Sequence, residues 1–254
     1  MELFGHTKDV IRANYFYLME RLCPSKISDA RDIPIIINNY NRLTMLKKLI
    51  DSLTSRGYTN IVILDNQSTY PPLLEWYAKC QFEVIRLPKN YGFKALWKYA
   101  PVRKRFCSDY YIYTDPDVQL SAECPADVVE RMFHILKCKR KKAFKIAPSI
   151  RITDLPDCYE HKQDAIDFES KYFTEKTEED GLTLYRAPID TTFSLYRPRI
   201  GLSRRVSLES YRMAEPYSLL HLPWYQDSAN LTEEDRYYIN SARQATMWSG
   251  KKSN

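Results

Sequence analysis

The sequence predicts an α/β protein of the Rossmann-like kind, in which helices flank a mostly parallel central sheet. Between residues 32 and 120, four short strand-like runs alternate with three segments that have the apolar spacing of a helix. The first run is apolar throughout, as expected of a strand that is covered on both faces of a parallel sheet. We therefore expect a doubly wound arrangement.

The elements follow one another in a regular order. The first strand is predicted at 33–37, where "IPIII" precedes the polar "NNYNR", and the helix after it has Gly57 at its C-cap. "NIVILD" forms the second strand, and "PPLLEWYAKC" forms the second helix with proline in its first turn. "FEVIRL" and "YYIYT" are the third and fourth strands, and "PKNYGFKALWKYA" connects them as a loop and a helix.

Composition indicates a globular chain without a membrane span. Of the 254 residues, 44% are hydrophobic and 28% are charged, and no window of about 18 residues is continuously apolar. The N-terminus lacks a signal-peptide core, so we expect a cytoplasmic protein. Six cysteines without a CxxC pair or zinc-finger spacing are typical of reduced thiols.

Two segments outside the α/β unit allow alternative interpretations. Residues 9–22 have helical spacing, and we expect this helix to pack on the domain, with a membrane-surface helix as the alternative. The net charge is +6, and residues 137–145 are strongly basic, but this run has a single aromatic residue, Phe144, and no known reader motif, so no nucleic acid partner is expected. This basic run is predicted to be a solvated helix end, or a contact with anionic lipid headgroups. The polar segment 169–181 is predicted to be a loop.

Polar residues follow all four predicted strands, at Asn38–Arg42, Asp65–Ser68, Lys89–Asn90 and Asp115–Asp117. Because the carboxyl ends of parallel strands meet at one edge of the sheet, these side chains should converge on one crevice, where ligands of doubly wound sheets bind.

The acid pair in "DPD" suggests how this crevice binds a phosphorylated ligand. Only six glycines are present, without a GxGxxG or P-loop pattern, so the backbone cannot approach phosphate as it does in those folds. Asp115 and Asp117 could instead hold a divalent cation that neutralises phosphate charge. A solvated turn or a helix cap is the alternative.

At these residues the chain resembles the GT-A glycosyltransferases, and glycosyltransferase family 2 in particular. "NNYNR", "DNQS", "NYG" and "DPD" occur in the order and at the spacing of that family's motifs. The resemblance implies one glycosyltransferase domain over residues 1–254. Within it, 1–31 is an N-terminal helical segment, 32–120 binds the nucleotide sugar, and 121–254 binds the acceptor and carries the catalytic residues.

The resemblance also implies a donor site for a nucleotide-diphosphate sugar, with a UDP-sugar expected. Tyr40 would border the uracil, with Asn38 and Arg42 on the same wall, and Asp65 would accept a hydrogen bond from the base. Two departures weaken the assignment of uracil. Asn38 and its neighbour stand where the family usually has Pro-Thr, and Asn66 stands where many members have a second Asp.

For the diphosphate, the resemblance places Asn90 and Lys94 at the ribose and phosphates. Asp115 would face the ribose and the metal, and Asp117 would ligate the metal directly. The expected cofactor is Mn²⁺ or Mg²⁺. His221 could complete the metal shell, although a lone histidine is more often structural.

The second half contains the candidates for the catalytic base and the acceptor site. An inverting transfer needs a carboxylate that takes the proton of the acceptor hydroxyl, and Asp190 is the candidate. The competing carboxylates are Asp154, Asp157, Glu209 and Glu215. Asp154 and Trp224 are the candidates for acceptor binding, and Trp224 could equally belong to the core.

The sequence thus predicts a metal-dependent glycosyltransferase. It would move a sugar from a nucleotide-diphosphate sugar to a glycan or a lipid-linked saccharide. The protein itself could make a peripheral contact with the inner face of an anionic membrane. A nucleotidyltransferase that acts on a sugar phosphate and a non-catalytic nucleotide-binding module are the alternatives.

Overall fold

A computed structural model of the chain describes residues 11, 14–16, 18–139, 142–201 and 209–241. The described residues between 11 and 22 are helical, and we name this segment α1. In the described part of the chain, no helix has the length and apolar character of a membrane span.

The predicted α/β unit is present with its strands and helices in the expected order. Its strands are β1 (Ile35–Asn39), β2 (Ile61–Asp65), β3 (Glu83–Arg86) and β4 (Tyr111–Thr114). Its helices are α2 (Thr44–Thr54), α3 (Pro71–Tyr77), α4 (Ala95–Lys98) and α5 (Ala100–Phe106). The four strands are parallel and lie side by side in the order β3-β2-β1-β4. The prediction of an α/β fold is confirmed.

The second half extends the same sheet. Its elements are β5 (Val118–Leu120), α6 (Val128–His134), β6 (Ala143–Ile150), α7 (Lys162–Ser170), β7 (Lys176–Glu179), β8 (Leu182–Arg186), β9 (Ser194–Tyr196), β10 (Glu209–His221) and α8 (Glu233–Ser241). Strand β9 lies antiparallel between β4 and β6, and β10 runs parallel to β6. A single sheet therefore carries strands from both halves of the chain.

The central strands are covered on both faces, which explains their continuous apolar sequence. Side chains of β1 alternate between two clusters, with Ile35 and Ile37 in one and Ile36 in the other. Helix α2 buries its apolar face against the first cluster through Leu46, Leu49, Ile50 and Leu53. This packing fixes β1 in the sheet, and so it fixes the position of the polar residues that follow β1.

The structure corrects three predictions about peripheral segments, although α1 does pack on the domain through Phe16 and Glu20. Segment α1 does not bury the apolar face predicted for residues 9–22, because Ile11, Tyr15, Leu18 and Leu22 are exposed (Val10 lies outside the described residues). Residues 169–181 are not a plain loop, since they contain a 3₁₀ turn and β7, which pairs with β8. Lys145 of the basic run is also not solvated, because it lies buried in β6.

Candidate active site

A cavity of about 640 Å³ lies beyond the carboxyl ends of β1 and β4. Six residues predicted from the sequence line it: Arg42, Asp115, Asp117, Asp190, His221 and Trp224. Their elements are distant along the chain, and the sheet brings them together. The predicted crevice is therefore present at the expected edge of the sheet.

Asp115 and Asp117 form the centre of the cavity. The backbone amide of Asp115 donates to the carbonyl oxygen of Thr191 at 3.0 Å, and the Thr191 hydroxyl donates to the Asp115 carboxylate. Burial and the neighbouring charge of Asp117 raise the pKa of Asp115 well above its usual range, although the hydrogen bond from Thr191 opposes this shift. Two carboxylates in such proximity repel each other unless a proton or a cation lies between them.

His221 reaches the acid pair because of strand pairing. Strand β10 runs antiparallel to β5, with His221 opposite Val118, so the imidazole lies beside Asp117. The distance from His221 Nε2 to Asp117 Oδ2 is 3.8 Å. Burial lowers the pKa of His221, while the charge of Asp117 acts in the opposite direction. A neutral imidazole beside a carboxylate is chemically suited to metal ligation.

Asp190 is exposed to the cavity and lies in the loop that precedes β9. The two hydrogen bonds between Thr191 and Asp115 fix this loop against the acid pair. The charge of Asp190 contributes to the raised pKa of Asp115. The carboxylate of Asp190 thus lies on the cavity wall next to the predicted metal-binding acids.

The chemistry of the acid pair fits a divalent cation. The raised pKa of Asp115 has the Asp117 charge as its second cause, and a bound cation would relieve this repulsion. Among the described residues, however, no group of three or more His, Cys, Asp or Glu side chains is arranged to hold a metal ion. The set of Asp115, Asp117 and His221 therefore stays a prediction that needs ligands from the donor, such as phosphate oxygens.

Helix α8 borders the cavity and contacts the loop between β1 and α2. Asp235 forms a buried ion pair with Arg42 at 2.5 Å, and the Arg42 guanidinium lies 3.9 Å from the centre of the Tyr238 ring. The carboxylate of Glu234 accepts hydrogen bonds from the first amides of α2, at Leu43 and Thr44. The sequence interpretation missed these residues of α8.

Tyr40 and Asn41 also contact α8. The hydroxyl of Tyr40 donates to the carbonyl oxygen of Ser241 at 3.0 Å, and the Asn41 amide donates to the Ser241 hydroxyl at 2.9 Å. Tyr40, which is predicted to border the nucleobase, is thus held against the last residue of α8.

Other predicted donor residues lie around the cavity but do not line it. Asp65 is completely buried, and its carboxylate accepts hydrogen bonds from Ser68, Tyr77 and Arg86. This network explains why "DNQS" holds the loop after β2 in place. The proposed hydrogen bond from Asp65 to a base stays a prediction.

Three further candidates lie near the loop around Gly92, between β3 and α4. Asn90 Oδ1 accepts a hydrogen bond from the amide of Gly92 at 2.8 Å, and Asn38 donates to the carbonyl of the same glycine at 3.5 Å. Lys94 is exposed, with its amine 5.2 Å from the Phe93 ring. None of Asn38, Asn90 and Lys94 is part of the described cavity lining.

The predicted acceptor residues separate into one inside the cavity and one outside it. Trp224 lines the cavity and is 2% exposed, which also makes it a core residue. Asp154 does not line the cavity, because it accepts a hydrogen bond from the hydroxyl of Tyr225 at 2.6 Å and lies 3.6 Å from Arg151 on the surface. Asp157 and Glu215 also pair with basic residues outside the cavity.

The far end of the cavity contains a group that sequence reasoning did not identify. Glu169 of α7 and Arg212 of β10 form a buried ion pair at 2.5 Å, and the Arg212 guanidinium lies 4.2 Å from the Tyr172 ring. Burial raises the pKa of Glu169, and Arg212 acts in the opposite direction. Tyr159 and Phe168 complete an aromatic wall at this end.

Comparison with known proteins identifies the class of the donor half. The family model described as Glycosyl transferase family 2 matches residues 35–137. The matched range contains all four motifs that carry the resemblance, so the resemblance to family 2 is confirmed there. Residues 35–137 are thus similar to glycosyltransferase family 2. None of the curated proteins matches the chain.

Solved structures give weaker likenesses. The mannosyltransferase PcManGT from Pyrobaculum calidifontis, in complex with GDP-Man and Mn²⁺, is 11% identical, with 93% of this chain and 70% of that chain covered and a TM-score of 0.49. A cytidylyltransferase from Leptospira borgpetersenii serovar Hardjo-bovis is 12% identical, with 48% and 55% covered and a TM-score of 0.34. Because both TM-scores are below 0.5, neither structure bears on the function of this chain.

Proposed function

We propose that this protein is a metal-dependent, inverting glycosyltransferase that moves a sugar from a nucleotide-diphosphate sugar to an acceptor hydroxyl. The observation that carries the proposal is the meeting of Asp115, Asp117 and Asp190 in one cavity at the carboxyl ends of the parallel strands. The acid pair supplies donor-side chemistry, and the third carboxylate is available for the acceptor.

On the donor side, Asp115 and Asp117 would hold Mn²⁺ or Mg²⁺, with His221 as a further ligand. When bound, the cation would offset the negative charge that develops on the departing diphosphate. Arg42 lies on the same wall, and its pairing with Asp235 fixes the direction of its guanidinium. A UDP-sugar is the donor that we propose, because "NNYNR" and "DNQS" resemble the segments that border uracil in family 2.

On the acceptor side, we assign the general base to Asp190. It would take the proton of the attacking hydroxyl, which requires an exposed carboxylate next to the sugar-bearing phosphate. The hydrogen bonds between Thr191 and Asp115, which hold the neighbouring Asp190 beside the acid pair, support this assignment. Among the competitors, Asp154, Asp157 and Glu215 lie outside the cavity lining.

The aromatic wall indicates what the acceptor presents to the cavity. Phe168 and Tyr172, which are not buried, offer ring surfaces on which the apolar face of a sugar can stack. A saccharide, free or linked to a lipid, is therefore the acceptor class that we propose. We assign donor binding to residues 32–120 and acceptor binding to residues 121–254 of one domain, in a cytoplasmic protein that contacts the inner face of an anionic membrane.

The two alternatives have less support in the site. A nucleotidyltransferase usually has a basic, glycine-rich loop after the first strand, whereas β1 is followed by "YNR" and by the contacts with α8. A non-catalytic module would bind nucleotide without using Asp190.

The decisive experiment is an assay of nucleoside diphosphate release from a panel of nucleotide sugars with Mn²⁺. Wild type should hydrolyse or transfer at least one donor, and Asp117→Ala should be inactive. Asp154→Ala is the matched control, because it removes a carboxylate outside the cavity. If wild type neither binds nor hydrolyses any donor, the proposal is wrong.

A further inference from the structure

We propose that α1 docks the protein onto an anionic lipid bilayer through an apolar stripe beside basic side chains. The stripe consists of Ile11, Tyr15, Leu18 and Leu22, whose exposed fractions are 64, 54, 54 and 66%. Spacings of four, three and four residues place all four on one face of a helix. The inference is independent of the transfer reaction, because no residue of the stripe lines the cavity.

The stripe faces outward because the opposite face of α1 is anchored to the domain. Glu20 accepts hydrogen bonds from the guanidinium of Arg197 at 3.0 Å and from the hydroxyl of Tyr110 at 2.7 Å. Phe16, one turn earlier, packs against Phe144 with a ring separation of 6.5 Å. A partly buried, ion-paired carboxylate and an exposed row of large apolar side chains reverse the usual arrangement of a surface helix.

The charges beside the stripe fit lipid headgroups. Arg21, Lys137 and Lys142 line a surface depression that also includes Leu18. The one acidic group of that depression, Glu20, is already bound to Arg197. Apolar side chains with flanking basic groups are the pattern of helices that lie in the plane of an anionic membrane surface.

The same charges argue against a second copy of this chain as the occupant. A symmetric pairing of two α1 stripes would bring the Lys137 and Lys142 groups of both copies together without acidic partners. The stripe is also shorter than the three or four heptads that usually identify a coiled coil. An anionic bilayer would bury the apolar stripe and pair the basic groups with its headgroups.

Docking through α1 would place the cavity away from the membrane. Tyr110, which holds Glu20, directly precedes β4, while Asp115 directly follows it. These two residues are separated by roughly 16 Å at the rise of an extended strand. The acid pair therefore lies at the opposite end of β4 from the contact with α1.

The test is sedimentation of the full chain with phosphatidylcholine vesicles, with and without phosphatidylglycerol. Wild type should bind only the anionic vesicles, and added salt should weaken the binding. Leu18→Ser/Leu22→Ser should lower the partition coefficient by about tenfold or more, because two leucine side chains lose their apolar contact. Lys137→Glu/Lys142→Glu should lower it as well.

The matched control is Lys47→Glu/Lys48→Glu, which makes the same charge change at exposed positions of α2 and should bind like wild type. Circular dichroism melting curves establish that every variant is folded. Equal binding to neutral vesicles, or unchanged binding of the leucine variant, overturns the proposal. A wild-type dimer in ultracentrifugation that Leu18→Ser/Leu22→Ser dissociates, without vesicle binding, also overturns it and assigns the stripe to a second copy.

Discussion

The donor half and the acceptor half of the cavity are built in different ways. In the donor half, Arg42 follows β1 and the acid pair follows β4, so each side chain is placed by the strand next to it in sequence. Asp190, the proposed base, is instead placed by the contact of Thr191 with Asp115, and His221, the proposed metal ligand, by the pairing of β10 with β5. Local sequence thus determines the positions of Arg42 and the acid pair, whereas long-range contacts determine the positions of Asp190 and His221.

Helix α8 couples the two halves at the donor side. It comes from the end of the described chain, yet its Glu234 and Asp235 bind the loop between β1 and α2. Tyr237 also donates a hydrogen bond to Thr69, in the loop after β2. The positions of the loops after β1 and β2 therefore depend also on α8, which is distant from them in sequence.

The largest effect is expected when the bond between α8 and the donor half is broken. Asp235→Ala leaves the buried Arg42 guanidinium without its carboxylate, and loss of one partner of a buried pair costs about 3 kcal/mol or more. Urea unfolding should show this loss in the free energy of unfolding. The control is Asp157→Ala, whose side chain is 98% exposed and pairs with Lys162 at the surface, and which should unfold like wild type.

The same aspartate should produce a pH dependence of stability. Burial opposes the shift, but hydrogen bonds from Thr232 and Gln226 and the charge of Arg42 together lower the pKa of Asp235. A lowered pKa in the folded state stabilises the protein fully above the ordinary value of about 3.9, and this stabilisation is lost as the pH falls through the folded pKa.

The difference in unfolding free energy between wild type and Asp235→Asn should accordingly be constant at neutral pH and shrink below about pH 4. Urea titrations of both proteins at several pH values measure it. A difference that grows as the pH falls would contradict the assigned ion pair.

Loss of the proposed base should separate chemistry from donor binding. Asp190→Asn should lower turnover by about a hundredfold or more, which is the usual effect of losing a general base. Its affinity for the donor should remain close to that of wild type, because the exposed side chain contributes to the transfer step alone. Initial rates with the donor found active, together with calorimetric titration, give both numbers. Wild-type turnover would reassign the base to another carboxylate of the cavity.

A smaller effect is expected for the cap that α8 places on α2. Glu234 accepts hydrogen bonds from the amides of Leu43 and Thr44, where a negative charge is favoured by the helix dipole. Glu234→Gln keeps the size of the side chain and should cost about 1 kcal/mol of stability. Glu233→Gln, next to it in α8, is the control and should have no measurable effect. Equal losses in both variants would remove the special role of Glu234.

The part of the site that depends on local sequence is also the part that could be predicted from the sequence. The four strands and the polar residues after them were predictable, because strand periodicity and strand ends are properties of neighbouring residues. The parallel arrangement then required that Asp115 and the end of β1 meet at one edge. The family match over residues 35–137 covers this region.

The contacts that α8 and Glu169 make with distant residues could not be predicted from neighbouring residues. The start of α8 carries a capping signature, since Thr232 and Asp235 hydrogen-bond each other's backbone amides, but nothing in "TEED" specifies Arg42 as a partner. The hairpin between β7 and β8 also had a local signal in Asp180-Gly181, both with positive φ. The pairing of Glu169 with Arg212 depends on tertiary packing and has no sequence signature.

The central claim is that the acid pair after β4 binds the nucleotide diphosphate through a divalent cation. Calorimetric titration of UDP into wild type and Asp117→Ala, with Mn²⁺ and with EDTA, tests it most directly. We expect Mn²⁺-dependent binding to wild type, and loss of that binding in Asp117→Ala, because Asp117 would hold the cation that offsets the charge of the diphosphate. Unchanged UDP affinity in Asp117→Ala that is also insensitive to EDTA would contradict the claim.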